Sequence, residues 1–98
     1  MALDPLIHAP ARLQICALLS AVQEAEFAVL REETGVSDSV LSKHIRQLEE
    51  ARYVKVRKAA FAGRQRTWLA LTRAGRIAFA AHMRELTRLV ASARLAAE

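Results

Sequence analysis

The apolar residues of this chain change their spacing twice, and each stretch fixes an element type. From Leu41 the steps are 4 and 3, through Ile45 to Leu48, which is one face of a helix. From Tyr53 the step becomes 2. Val54 and Val56 alternate with Tyr53, Lys55 and Arg57, and further on Leu69 and Leu71 alternate with Trp68 and Ala70. Two such runs around a glycine-containing segment predict a β-hairpin. From Phe79 the steps are 4, 3, 4, 3 and 4, through Met83, Leu86, Val90 and Ala93 to Ala97, a heptad-type seam. A helix, a hairpin and a long helix in that order leave few folds open.

Boundary residues divide the rest. Pro10 suits the first turn of a helix, where its missing N–H costs nothing. Leu13, Ile15, Cys16, Leu18, Leu19 and Val22 then form one broad apolar face, so residues 10–23 read as a helix. Residues 24–27 read as a mostly polar connection ending in Phe27. A short helix is expected over 28–34, with Val29 and Leu30 inward and Gly35 stopping it. Ser37 is a good N-cap for the next helix, which runs to about Ala51. Strands are expected at 53–58 and 67–72, around a turn at 59–65 with a basic tip at Arg64 and Arg66. Thr72 caps the last helix, over 73–95 or so. At ~1.5 Å per residue that helix is about 35 Å long, more than the small preceding body can cover. The fold expected is mainly α with a small β-hairpin wing, one domain over 1–98, with 73–98 as a dimerisation helix.

Charge is concentrated. Residues 43–76 hold ten of the fifteen Lys and Arg and two of the ten Asp and Glu, a net +8, against −4 for 1–42 and +1 for 77–98. A block this lopsided suggests a surface for a polyanion. Other classes fall away. No apolar run reaches the ~18 residues of a membrane helix. Asp4 stands where a secretion signal would carry positive charge, so a cytoplasmic protein is expected. Cys16 is the only cysteine, which excludes a disulfide framework and a cysteine-based zinc cluster, and its apolar position reads as core. No nucleophile elbow, phosphate loop or zinc-hydrolase signature is present, so no enzyme activity and no cofactor are expected.

Two helices joined by a tight Gly-containing turn, then a hairpin, form a winged helix-turn-helix. "LDPLIHAPARLQICALLS" resembles the opening helix of ArsR- and MarR-type regulators. "EFAVLREETGVSDSVLSKHIRQLEEARYVKVRK" resembles their helix-turn-helix and first wing strand, and "GRQRTWLALTRAGR" their second wing strand and the start of the dimer helix. Leu-Ser-Lys-His-Ile at 41–45, Leu48-Glu49 and Leu71-Thr72-x-x-Gly75 together carry the likeness, which is closest to short MarR-like regulators. The resemblance implies a homodimer joined through its first and last helices, with Phe79, Met83, Leu86, Val90 and Ala93 on the seam. It implies double-stranded DNA as partner, on a pseudo-palindromic site. Recognition-helix contacts would come from Ser37, Asp38, Ser39, Ser42, Lys43 and Arg46, and wing contacts from Arg64, Gln65 and Arg66. The function it implies is a repressor acting by promoter occlusion.

Two departures from the family pattern stand out. Arg52 occupies a position after the recognition helix where the family has glycine. Either Arg52 accepts a positive φ or the helix ends differently. The Cys/His clusters of metal-sensing ArsR proteins are absent, so no metal site is expected; His44 is alone on the recognition helix, with His8 and His82 far away in sequence. Simpler roles stand beside the functional ones. Ser37 reads as a cap first, Asp38 as a charge favourable at a helix N-terminus, His44 as an edge residue, and Trp68 as packing with Tyr53 and the base of the last helix. Two other functions stay open: a winged helix that binds protein, and a low-specificity nucleoid-type DNA binder. No residue demands a small-molecule effector.

Overall fold

A computed structural model describes residues 3–98. The elements are α1 (Pro5–His8), α2 (Pro10–Ser20), β1 (Ala25–Glu26), α3 (Phe27–Thr34), α4 (Asp38–Glu50), β2 (Val54–Phe61), β3 (Arg64–Leu71) and α5 (Arg73–Ala97). The fold is mainly helical, with a three-stranded antiparallel sheet in the order β1-β3-β2. Ile7, Ile15, Cys16, Leu19, Leu30, Leu41, Leu48 and Leu69 are fully buried in one core that α1, α2, α3, α4 and the sheet share. Each such aliphatic side chain contributes roughly 1.5–3 kcal/mol by leaving water.

Helix α4 forms as its sequence requires. The Ser37 hydroxyl accepts from the Val40 N–H at 3.3 Å, and Leu41, Ile45 and Leu48 face the core. Its end resolves the Arg52 question. Arg52 adopts φ 64°. Its N–H donates to the Glu49 carbonyl, and the Tyr53 N–H donates to the Leu48 carbonyl, both at 2.9 Å. That pair of bonds is a Schellman motif, whose left-handed position usually holds glycine. Thr72 then locks this corner to α5. Its hydroxyl donates to the Arg52 carbonyl at 2.6 Å and accepts from the Gly75 N–H at 3.0 Å, while its own N–H donates to the Tyr53 carbonyl at 2.9 Å. A Cβ on Gly75 would lie 2.1 Å from the Tyr53 carbonyl oxygen. The Leu71-Thr72-x-x-Gly75 motif is therefore a backbone-to-backbone joint.

Several expectations are corrected. Residues 10–23 are not all helix: α2 stops at Ser20, and Val22 is 43 % exposed, because the chain turns there toward the sheet. Proline at position 5 and Asp4 as cap nucleate an additional short helix, α1. Residues 25–26 are not a simple connection but pair with β3, Ala25 opposite Leu69 and Glu26 opposite Trp68. Val29 points to solvent at 48 % exposure, since one face of so short a helix reaches the core and Leu30 takes it. The wing is longer than expected and its turn shorter. Pairing runs from Val54–Leu71 to Phe61–Arg64, leaving only Ala62 and Gly63 as the loop. Both have positive φ, 51° and 77°, the signature of the two-residue turn that matches strand twist. Trp68, expected to pack with Tyr53, lies opposite Arg57 in the ladder, with the Arg57 guanidinium 5.5 Å from its ring.

Candidate nucleic-acid interface

The N-terminal end of α4 is fixed by its own polar side chains. Ser37 caps it, and the Ser37 and Ser39 hydroxyls lie 3.2 Å apart. Asp38 favours the helix N-terminus by its charge. Its carboxylate is held by Arg31 of α3 at 3.1 Å, which offsets a negative charge that would otherwise repel phosphates. One turn on, Ser42, Lys43 and Arg46 are exposed on the outer face. Among the described residues, neither Lys43 nor Arg46 has an ion-pair partner or a side-chain hydrogen bond.

The wing's arginines divide into free and held. Arg64, beside the turn, is exposed, as is Gln65. Arg66 is not a free tip residue. It donates to the Glu26 carboxylate at 2.9 Å, with its guanidinium 4.9 Å from the Phe61 ring. The cause is β1, which brings Glu26 alongside β3. Arg57 is likewise held, by Glu24 at 2.6 Å. Arg76 donates to the Ser20 and Val22 carbonyls at 3.4 and 3.0 Å and so closes the end of α2. Three of the ten cations in the basic block thus serve the fold. The apex itself is apolar: Phe61 is 61 % exposed.

Helix and wing meet on one surface. A cleft of about 360 Å³ is lined by Ser42, Arg46 and Glu49 of α4 and by Val56, Lys58 and Thr67 of the wing. A second, of about 440 Å³, is lined by Arg31 together with Arg64, Gln65 and Arg66. Both clefts are bordered by Phe27 and Thr67, so they are neighbours. The structure therefore brings Ser42 and Arg46 to Lys58, and the wing arginines to Arg31. Arg31 gives no signal in the sequence, because it lies outside the basic block. His44 turns away from this surface and is half-buried.

Helix α5 starts on the body and leaves it. Gly75, His82 and Glu85 are buried, and Phe79 packs against the protein's own core, as α2 and β3 lie beneath these turns. Met83 and Leu86 are half-buried. Val90 is 52 % exposed, Leu95 74 %, and Ala93 is exposed. The molecule spans 59 × 26 × 20 Å. Burial pushes the Cys16 thiol up to about 11, so it is neutral and unreactive at ordinary pH. Among the described residues, no group of three or more His, Cys, Asp or Glu is placed to hold a metal ion. No helix of these residues is long and apolar enough to cross a membrane.

Similarity to known proteins agrees with this geometry. Residues 11–90 match the family model for a winged helix DNA-binding domain. An uncharacterized protein of Methanocaldococcus jannaschii is 35 % identical over 78 residues, covering 80 % of this chain and 85 % of that one. A transcriptional regulator homologue of Pyrococcus horikoshii OT3 superposes with a TM-score of 0.82 at 26 % identity, covering 89 % of this chain and 86 % of its own. HlyU of Vibrio cholerae shares the fold, with a TM-score of 0.64, 24 % identity, and coverage of 86 % and 83 %. The fold and family are those of DNA-binding regulators, not enzymes. Its helix-turn-helix, its wing and its sequence place the chain in the family of winged helix DNA-binding domains.

Proposed function

We propose that this chain binds double-stranded DNA sequence-specifically as a homodimer and represses transcription by occluding a promoter. One observation carries the reading: exposed, unpartnered cations of α4 and of the wing, Arg46 with Lys58 and Arg64 beside them, line neighbouring clefts between helix and wing. A helix of this radius fits the major groove, and its outward side chains reach base edges. Lys43, Arg46, Ser39 and Ser42 are the readers. Ser37 and Asp38 orient the helix start. Arg64 and Gln65 reach phosphates or the flanking minor groove, and Arg66, tied to Glu26, stiffens the wing behind them.

Helix α5 supports the dimer. Its C-terminal half carries the exposed Leu89, Val90, Ala93 and Leu95 beyond the half-buried Leu86, leaving apolar surface that a second copy would cover. Two α4 helices would then enter major grooves one turn apart on a pseudo-palindromic site.

The test is selection of bound duplexes from random sequence, followed by titration at two salt concentrations. A recovered inverted repeat, and a steep fall in affinity with salt from counterion release, are expected. The double variant Lys43→Ala/Arg46→Ala should lose the selected site while remaining folded. Unchanged affinity in that variant, or no sequence enrichment, would sink the reading.

A further inference from the structure

Arg12 of α2 is a half-buried cation with no carboxylate partner among the described residues. It spends its donors on neutral acceptors in two other elements. Nε donates to the Leu6 carbonyl of α1 at 2.5 Å. One terminal nitrogen faces His44 Nδ1 at 3.1 Å and donates to Gln47 Oε1 at 2.9 Å. A guanidinium can only donate, so His44 Nδ1 is the acceptor. Withdrawing a charge from water to meet only neutral groups costs free energy, and packing alone would be served by an apolar residue. The rigid fork holds several acceptors at once, as a lysine cannot.

The acceptors on α4 are placed tellingly. At 100° per residue, positions 44 and 47 lie on the flank of α4 opposite Ser42 and Arg46, with the core stripe between. The wing cleft borders one flank, and Arg12 grips the other over one turn. Its own anchor is fixed in turn. The Asp4 carboxylate accepts from the Leu6 N–H at 2.9 Å and from the Tyr53 hydroxyl at 2.8 Å, holding α1 at its start. The Asp4 N–H donates to His82 Nδ1 of α5 at 3.1 Å, which leaves the His82 Nε2–H to donate to His8 Nδ1 at 3.2 Å. All three histidines of the chain thus lie along one polar path from α5, through α1 and Arg12, to α4.

We propose that Arg12 is a positioning residue for DNA recognition, setting the roll of α4 about its axis and tying that roll to α5. This rests on the DNA-binding reading above. A roll of about 10° moves an atom at the helix surface by ~1 Å, given a radius of roughly 5–6 Å. Two-pronged base contacts do not tolerate such a shift.

The test uses the full chain, its selected operator and an unrelated duplex, titrated over a range of salt. Arg12→Met should weaken operator binding about tenfold or more, the scale of one lost bidentate base contact. Affinity for unrelated DNA and the salt slope should stay unchanged. Arg12→Lys should restore little, because a single nitrogen cannot reach all three acceptors. Gln47→Met removes one acceptor without touching α2, and should lower the operator-to-unrelated ratio in the same direction if Arg12→Met fails to fold. Equal operator affinity in Gln47→Met and the wild type would overturn the role. So would a parallel fall on both duplexes with the salt slope reduced by about 1, the mark of a direct phosphate contact. A wild-type chain that selects no sequence would overturn the proposed function itself, which separates the two failures.

Discussion

Replacing Arg52 by glycine should stabilise the protein, although it removes a side chain and adds no contact. Arg52 sits at φ 64° as the left-handed residue of the Schellman motif that ends α4. An L-residue there bears a clash between Cβ and carbonyl worth about 1–2 kcal/mol. Glycine escapes it but gains freedom in the unfolded chain, which returns roughly 0.4–1 kcal/mol. The net expectation is about 0.5–1 kcal/mol in favour of glycine. For a domain of this size that raises Tm by roughly 2–8 °C. Charge must be separated from backbone, since Arg52 belongs to the basic block of residues 43–76. Arg52→Ala does so: it removes the charge and keeps Cβ. Thermal and urea unfolding of the three proteins, at one protein concentration and moderate salt, gives the comparison. The difference between the glycine and alanine variants reads the backbone cost alone. A glycine variant no more stable than the alanine variant would refute the reasoning, and would mean that the left-handed conformation is unstrained in this setting.

Other expectations follow from the same joint and its surroundings. Gly75→Ala should destabilise by about 1–3 kcal/mol despite alanine's better helix propensity, since its Cβ would meet the Tyr53 carbonyl oxygen at 2.1 Å; chemical denaturation measures it. Burial and the neighbouring His8 lower the pKa of His82 below its ordinary 6.5, with Asp4 acting in the opposite sense. A folded value lower than the unfolded one means that this stability is whole above pH 6.5 and is lost as pH falls through the lowered value. His82→Gln, whose side-chain oxygen can still accept from Asp4, should flatten the difference in denaturation midpoint between pH 7.5 and pH 5 (about 1.4 kcal/mol per unit of lowering). Leu86→Glu with Val90→Glu should leave circular dichroism unchanged and reduce the mass seen in sedimentation by half; a wild type that sediments as a monomer would contradict the dimer.

Periodicity carried most of this fold into view. The 4–3 stripe of α4, the Ser37 cap, Gly35 and the alternation of Val54, Val56, Leu69 and Leu71 are local signals, and the structure uses each where expected. What escaped lacks a local signal. β1 has two residues, too few for any period, and pairs only because β3 passes beside it. α1 has four residues. The outer wing, Ala59 to Phe61, does not alternate in polarity, so only its register reveals it as strand. In the interface, the outward positions of α4 follow from the same helical stripe. That Glu26 holds Arg66, and Glu24 holds Arg57, follows from strand order, which nothing near those arginines announces. Arg12 is the extreme case. Its partners lie 6, 32 and 35 positions away, and no short pattern relates them.

The joint at Gly75 gives α5 the mechanics of a lever. Its pivot is bare backbone against the Tyr53 carbonyl, with no side chain to cushion a change of angle. Beyond it the helix runs about 22 residues, or roughly 33 Å at ~1.5 Å each. A tilt of about 5° at the pivot would swing the far end by ~3 Å on that length. In a dimer joined at that end, the same tilt would alter the distance between the two α4 helices. The fulcrum of that motion lies one residue from Arg52, so the left-handed end of α4 and the mounting of the lever share one stretch of backbone.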